Sequence, residues 1–210
     1  MKSVITADVV GSTRIKAERR VELPELIYQI AEDLQKICPI RLEIFRGDSF
    51  QIMVEKPEQA PLIAVLVRAG LRKSELVSGT QLLDARMAIG VGGVDYEDSH
   101  LALSNGEAFI LSGREFDKLG KRRLSVVTPS DEINAELQVE TAFVDNVITH
   151  WTRQQSECIY QALLTNAKHT QLASDDKTSR QNVGKKLLAA RERLVRMYLD
   201  RVSYLILEKI

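Results

Sequence analysis

The spacing of apolar residues changes several times along the first part of the chain. Residues 3–10 (SVITADVV) are rich in β-branched residues, which predicts a short strand. Between Pro24 and Pro39 the apolar residues recur at helical spacing, which predicts a helix. These residues are Leu26, Ile27, Ile30, Leu34 and Ile37. Apolar residues then alternate on both sides of Gly47-Asp48 in RLEIFRGDSFQIMVE, and this predicts a β-hairpin.

The pattern after the hairpin completes one α/β unit. Pro57 opens a predicted helix with apolar residues at helical spacing, and ARMAIGVGGV then predicts a buried strand. The order strand, helix, hairpin, helix, strand is the split β-α-β arrangement of a ferredoxin-like sheet. A further helix in GEAFILSGREFDKL and a strand in RLSVVT follow. We therefore predict an α+β protein whose first domain, a ferredoxin-like α/β sandwich, spans residues 1–129.

Helical patterns dominate the remainder of the chain. Residues 130–150 (SDEINAELQVETAFVDNVITH) have the pattern of a helical connector. Residues 151–210 have the pattern of an all-α domain. This domain should contain a helix at about 152–164, a short helix with TQLAS, and a long C-terminal helix capped by Ser179. The segment TQLASDDKTSRQNVGKKL resembles a helix-turn-helix DNA-binding module.

Charge is balanced over the whole chain but divided unevenly along it. The 29 basic and 29 acidic residues cancel, yet residues 150–210 have a net charge of +5 and residues 1–149 a net charge of −5. This division indicates an acidic domain joined to a module that can meet a phosphate backbone. The two cysteines, Cys38 and Cys158, lie in apolar helical segments, so no disulfide framework is expected.

The sequence contains no pattern typical of targeting or membrane insertion. The N-terminus lacks a basic region followed by a long apolar segment, and no run approaches about 18 apolar residues. We therefore expect a cytoplasmic protein with no membrane partner.

Two aspartates are candidate metal ligands. Asp8 ends the first predicted strand and Asp48 lies in the hairpin turn, and these strands are neighbours in a ferredoxin-like sheet, so both carboxylates can converge on one Mg²⁺. Gly11, Ser12 and Thr13 would let backbone N–H groups approach a phosphate. The alternative is purely structural, because Gly-Asp is a common hairpin turn and an aspartate before Gly-Ser-Thr can bond its own backbone.

Four segments resemble the sequential landmarks of class III nucleotide cyclase catalytic domains. They are ITADVVGST, FRGDSF, ARMAIGVGGV and GEAFILSGR. The resemblance covers residues 3–128 and implies that Asp8 and Asp48 bind metal and that Arg114 stabilises phosphoryl charge. Two positions depart from the family: Ile44 replaces a base-reading lysine, and Ile110 replaces a transition-state asparagine. These departures argue against catalytic turnover and indicate a degenerate cyclase-like domain.

Over nearly the whole chain the sequence is closer to SatD-like bacterial proteins. This resemblance rests on three features: the motif RGDSFQ, the S-x-G-x-A-F…R segment and the C-terminal helix-turn-helix pattern. It implies a cyclase-like fold joined to a helix-turn-helix module, with no established activity.

The predicted recognition helix presents a polar face. On a helical wheel Val183, Leu187, Ala190 and Leu194 face the core, and the polar residues at the start of the helix lie opposite them. Such side chains reach base edges or phosphates of double-stranded DNA, and the alternative is a solvated polar surface. The predicted DNA-contacting residues are Lys177, Thr178, Ser179, Arg180, Gln181, Asn182, Lys185 and Lys186.

A second apolar stripe extends towards the C-terminus. Its members are Leu188, Val195, Leu199, Val202 and Ile206. The stripe either pairs two chains in a homodimer or packs within the chain, against the helix near Ile148 and Trp151 or against the first domain. The sequence leaves both alternatives open.

Two functional hypotheses follow from these patterns. The first is a DNA-binding transcriptional regulator in which a degenerate cyclase-like domain senses a ligand or mediates dimerisation. The alternative is an Mg-dependent nucleotide-binding protein or a nucleotidyl-cyclase-type enzyme. Between them stands a protein that binds a nucleotide without turning it over and reports that binding to DNA through its C-terminal helices.

Overall fold

The structure, a computed structural model, describes residues 1–79, 81–175 and 178–210, without the side chains of His169 and Asp175. The predicted α+β class is confirmed. The strands are β1 (Lys2–Val10), β2 (Ile40–Ile44), β3 (Ser49–Val54), β4 (Asp84–Gly92) and β5 (Leu124–Val127). The α-helices are α1 (Glu22–Leu34), α2 (Ala60–Lys73), α3 (Glu107–Lys118), α4 (Asp131–Thr149), α5 (Arg153–Thr165), α6 (His169–Asp175), α7 (Arg180–Ala189) and α8 (Glu192–Lys209).

The strands form one sheet in the order β2-β3-β1-β4-β5. The first four strands are antiparallel to their neighbours, and β5 joins the edge parallel to β4. Strands β1 to β4 therefore have the split β-α-β order that the apolar pattern predicts. In the part of the chain that the structure describes, no helix is both long and apolar enough to span a bilayer.

The two faces of the sheet are covered differently. Ile5, Ala7 and Val9 of β1 point into the main core, which includes the buried residues of α1 and α2. Val4 faces the other side, in a small apolar cluster with Ala108 of α3. Because side chains alternate along a strand, Thr6 and Asp8 lie on the α3 side as well, and Thr6 Oγ1 donates to Ser112 Oγ of α3 at 3.1 Å.

Helix α3 lies directly on the backbone of β4 because a glycine stands beneath it. A Cβ atom on Gly90 would come within 2.4 Å of the Ala108 carbonyl oxygen and 2.5 Å of the Ser112 nitrogen. Only glycine permits this approach without moving the helix.

Helix α2 is enclosed on nearly all sides. Of its 14 residues, 12 are buried. The C-terminal helices supply much of this cover: Tyr160 of α5 packs beside Gly70 and donates its hydroxyl hydrogen to Asp33 Oδ2 of α1 at 2.8 Å. Lys73 Nζ lies 4.2 Å from the centre of the Tyr160 ring. One continuous apolar core thus extends from the sheet into α5, α7 and α8.

A buried cluster of arginines and aspartates joins α2 to the sheet and to α4. Arg68 is fully buried, and its Nε and Nη2 atoms donate to the two carboxylate oxygens of Asp84 at 2.8 and 3.0 Å. Its Nη1 donates to Asp145 of α4 at 2.7 Å. Two further arginines share Asp84: Arg72 at 2.8 Å and Arg123 at 2.6 Å. We call these five residues the arginine–aspartate cluster.

The second apolar stripe is buried within the chain. Val195, Leu199, Val202 and Ile206 are at most 8 % exposed, so the packing alternative is the one that the structure shows. Helix α8 packs beside α4, where Tyr198 and Thr141 share a hydrogen bond of 3.1 Å. Leu188, the remaining member of the stripe, is 73 % exposed.

The predicted long C-terminal helix is two helices. Helix α7 ends at Ala189, and Arg191 adopts a left-handed conformation with φ of 58° before α8 begins. The indole of Trp151 fixes this break, because its Nε1 donates to the Ala190 carbonyl at 2.8 Å. Trp151 is 2 % exposed and lies in the main core. Cys38 and Cys158 are both buried.

Candidate functional site

The two predicted metal ligands lie on adjacent strands. Asp8 pairs with Ser49 in the β1–β3 register, and the Val9 amide donates to the Asp48 carbonyl at 2.8 Å. The structure therefore brings the end of β1 and the β2–β3 turn together, as the ferredoxin-like order requires. The two side chains, however, have different partners.

Asp8 is bound by an arginine. Its carboxylate faces Arg86, its cross-strand neighbour on β4, whose Nε and Nη2 atoms donate at 3.0 and 2.5 Å. The hydrogen bond and negative charge of Asp8 raise the pKa of Arg86 above its ordinary value. Arg86 also lies over the ring of Phe116, 5.4 Å from its centre. Both oxygens of Asp8 are thus engaged in a two-pronged ion pair.

Asp48 has a hydroxyl partner instead. The Ser12 hydroxyl donates to Asp48 Oδ2 at 2.8 Å, which ties the Gly-Ser-Thr turn to the Gly-Asp turn. Gly11 starts the first turn with φ of 89°, a conformation that favours glycine, and Ser12–Arg14 then form one turn of 3₁₀ helix. The predicted phosphate-binding residues Gly11, Ser12 and Thr13 therefore lie beside Asp48.

A cavity of 240 Å³ opens between these two turns, and we call it the Asp48 cavity. Ser12, Thr13 and Asp48 line it together with two arginines, Arg20 and Arg46. Its remaining lining residues are Ile15, Leu23 and Gly47. Sequence reasoning missed both arginines, although Arg46 stands immediately before Gly47-Asp48. Two cations against one carboxylate give the cavity a net positive lining.

The donor set does not fit a two-carboxylate magnesium site as it stands. Magnesium binds oxygen ligands and keeps several waters, but both oxygens of Asp8 are engaged by Arg86. Among the described residues, no group of three or more His, Cys, Asp or Glu side chains is placed to hold a metal ion. A shared ion would first have to displace Arg86, and the paired metal site stays a prediction.

Arg114 lies apart from the Asp48 cavity. It is an exposed residue of α3 and is not among the residues that line the cavity. Ile110, one helical turn earlier, is 43 % exposed. The structure therefore does not bring Arg114 together with Asp48 around one pocket.

The predicted DNA-contacting residues lie at the start of α7. Ser179 is the N-cap, as predicted, and its hydroxyl accepts from the Asn182 amide at 3.1 Å. The Asn182 side chain donates to Thr178 Oγ1 at 2.8 Å. Asp176 and Lys177, which the sequence places in the preceding turn, lie outside the described residues.

The polar face of α7 points to solvent. Val183, Leu187 and Ala190 are buried, as predicted. Leu194 was predicted to join them but is 55 % exposed, because it follows the break at Arg191 and belongs to α8. The exposed residues are Arg180, Gln181, Asn182 and Lys185, and Lys186 is half-buried. DNA contact through this face stays a prediction.

Comparisons with known proteins add two solved structures. The active GGEEF domain of a diguanylate cyclase from Vibrio cholerae is 15 % identical, with a TM-score of 0.40 over 62 % of this chain and 83 % of that one. A bacterial light-regulated adenylyl cyclase is 12 % identical, with a TM-score of 0.37 over 60 % of this chain and 74 % of that one. No protein-family model and no curated protein matches the sequence. The interpretation of the site therefore rests on its own geometry.

Proposed function

We propose that the α/β part of the protein binds a phosphorylated nucleotide in the Asp48 cavity and does not turn it over. The observation that supports this most is the Ser12–Asp48 hydrogen bond of 2.8 Å, which joins the predicted phosphate-binding turn to the turn of the predicted metal ligand Asp48 beside one cavity. The resemblance to nucleotide cyclases falls on the same two turns.

The lining residues match the parts of a nucleotide. Guanidinium groups bind phosphate oxygens in pairs, so Arg20 and Arg46 would hold the phosphates. A carboxylate is a suitable acceptor for a ribose hydroxyl, and this role falls to Asp48. The base would lie towards solvent, because 240 Å³ is somewhat below the roughly 300–1,000 Å³ of sites that enclose a whole ligand.

Three residues argue against turnover. Asp8 is paired with Arg86 and so lacks free oxygens for a catalytic cation. Ile44 and Ile110 are apolar at the two positions where the resemblance expects a base-reading lysine and a transition-state asparagine. Binding without catalysis is the function that this arrangement supports.

Arg46→Gln should weaken nucleotide binding about 10- to 100-fold, because it removes charged hydrogen bonds worth about 1.5–3 kcal/mol. Calorimetric titration of the full chain with ATP and GTP, with and without Mg²⁺, measures this change. Arg114→Gln is the matched control, since it removes an exposed arginine outside the cavity and should leave the affinity unchanged.

Two outcomes would contradict this proposal. Equal losses in both variants, or no titratable binding of either nucleotide, would remove the nucleotide from the Asp48 cavity. Formation of a cyclic nucleotide that is abolished by Asp8→Asn would show instead that the paired aspartates form a working catalytic site.

A second candidate function is DNA binding through α7. The observation that favours it is the exposure of Arg180, Gln181, Asn182 and Lys185 on one helix end, while Val183 and Leu187 hold the helix against the core. Polar side chains at the start of such a helix reach base edges and phosphates. In this function the protein is a regulator that binds double-stranded DNA, and the nucleotide would be its ligand.

Replacing Arg180 and Lys185 together by alanine should weaken binding to duplex DNA and lower the slope of log affinity against log salt by about 2. Fluorescence anisotropy with a duplex from the protein's own upstream region, across a salt series, measures both quantities. The matched control replaces Arg193 and Lys209, two exposed cations of α8. An unchanged salt slope in the α7 variant would exclude this face as the DNA contact.

A further inference from the structure

A larger cavity lies on another side of the Gly-Ser-Thr turn. It measures 650 Å³ and is formed where the end of β1, the start of β5 and the α4–α5 connection meet. Four arginines line it: Arg14, Arg72, Arg123 and Arg153. Among the described residues that line it, none is an aspartate or a glutamate. We call it the arginine cavity, and none of its described lining residues also lines the Asp48 cavity.

The buried charges beneath this cavity do not cancel. The arginine–aspartate cluster contains three arginines but only two aspartates, and Arg72 and Arg123 of that cluster reach the cavity wall. Arg72 is 5 % exposed, so its charge is poorly screened by water. One positive charge of the cluster is thus left over at the base of the cavity.

The other two arginines add uncompensated charge. Arg14 donates to neutral acceptors, the Gln81 side chain at 2.6 Å and the Leu82 carbonyl at 2.9 Å. Arg153 donates to the Val77 carbonyl at 2.9 Å. In the described part of the chain, neither arginine forms an ion pair with a carboxylate.

The electrostatic environment of Arg72 reflects this excess. Burial lowers the pKa of Arg72 below its ordinary value, and the nearby charges of Arg68 and Arg123 lower it further, while Asp84 only partly offsets them. The Nε atoms of Arg72 and Arg153 are buried and have no acceptor among the described residues. A bound anion would relieve the repulsion between these guanidinium groups.

We propose that the arginine cavity binds a small molecule carrying more than one phosphate group. Arg72 and Arg123 are held in place by Asp84, and Arg14 and Arg153 are held by Gln81, Leu82 and Val77, so an anion would bind between two pairs of positioned guanidinium groups. A second cavity of 460 Å³ shares Arg14 and adds Lys16, which provides a place for a further phosphate, while Arg19 of the same cavity is already paired with Glu22. A concave site whose described lining residues come from five chain segments suits a small molecule better than a nucleic-acid strand.

The ligand would connect two parts of the protein. Arg14 follows Ser12 in the turn that lines the Asp48 cavity, and Arg153 is the first residue of α5, which packs on α2. An anion held by both would tie the nucleotide-binding turn to the C-terminal helices. This inference goes beyond the proposed nucleotide site and does not depend on it.

Inorganic pyrophosphate is the probe, titrated calorimetrically into the full chain at constant ionic strength set by chloride. The wild type should bind it, and the double variant Arg14→Gln/Arg153→Gln should bind at least about 10-fold more weakly, as expected for the loss of charged hydrogen bonds. Arg193→Gln removes an exposed cation of α8 that lines neither the arginine cavity nor the Asp48 cavity, and this matched control should bind pyrophosphate like the wild type. Thermal unfolding should show a rise in Tm with pyrophosphate that the double variant lacks.

Two results would overturn the proposal. The first is that the protein binds pyrophosphate no more tightly than sulfate. The second is that Arg46→Gln loses affinity for pyrophosphate while the double variant does not. Each would exclude the arginine cavity as the binding site. Should the double variant unfold, the single variant Arg14→Gln, at an exposed position, decides the question by the same criterion. Because Arg46→Gln tests the Asp48 cavity separately, failure of this proposal is distinguishable from failure of the nucleotide site.

Discussion

Asp84→Asn should lower the free energy of unfolding by about 3–5 kcal/mol, the cost of removing one partner from a buried ion pair. Asp84 is fully buried and accepts hydrogen bonds from Arg68, Arg72 and Arg123. Asparagine keeps the shape of the side chain but leaves three guanidinium groups against the single carboxylate of Asp145. Urea unfolding at neutral pH, followed by circular dichroism, measures the change.

Asp200→Asn is the matched control, because Asp200 is exposed on α8. It should change stability by no more than about 0.5 kcal/mol. A loss below about 1 kcal/mol in Asp84→Asn would show that the cluster contributes little net stability.

The same cluster predicts how stability depends on pH. Burial alone would raise the pKa of Asp84, but Arg68, Arg72 and Arg123 outweigh it and lower the pKa from 3.8 to about 2. Because the pKa of Asp84 is lower in the folded than in the unfolded protein, its ionisation stabilises the fold at pH values above the unfolded-state pKa. This stabilisation is lost as the pH falls through the folded-state pKa. The wild type should therefore lose this stabilisation between about pH 4 and pH 2. The difference in free energy of unfolding between the wild type and Asp84→Asn should become smaller over the same interval.

Gly90→Val should destabilise the protein by an amount at the upper end of about 1–3 kcal/mol, the usual cost of overpacking. The first added carbon would lie 2.4 Å from the Ala108 carbonyl oxygen and 2.5 Å from the Ser112 nitrogen. Both atoms belong to the backbone of α3, so the clash is relieved only by moving the whole helix. Thermal unfolding and the exchange of α3 amide hydrogens measure the effect.

Gly113→Ala is the control, because it adds a carbon to α3 itself at a position where no contact is expected. A Cβ on Gly113 meets nothing within 4 Å, and alanine is the better helix former by about 1 kcal/mol. This variant should be slightly more stable than the wild type. If both variants were destabilised by similar amounts, the loss in Gly90→Val could not be assigned to the close contact between Gly90 and α3.

The order of the strands could be predicted from the sequence because it depends on local signals. Alternation on both sides of Gly47-Asp48 specifies a hairpin, and helical spacing between Pro24 and Pro39 specifies the crossover that precedes it. Few strand orders are compatible with this succession of strands, helices and hairpin, and the split β-α-β order is the usual one. The sheet order confirms it.

The partners of the site residues could not be predicted in the same way. Asp8 meets Arg86 because of the β1–β4 register, and a register between distant strands has no local signature. The break before α8 was equally hidden, since Arg191 adopts a left-handed conformation that usually signals glycine or asparagine. The adjacency of Gly11–Thr13 and Asp48 was predictable, and Arg46 adjoins Gly47-Asp48 in the sequence, whereas Arg20 joins them only through tertiary folding.

The enclosure of α2 has a consequence during synthesis. The ribosome releases α2 well before α5 and α8, yet these later helices bury part of its apolar surface. Until they emerge, the nascent chain exposes a helix with almost no polar side, a surface on which chaperones act and through which partly made chains aggregate. The protein should therefore complete its folding only after the C-terminal helices have left the ribosome.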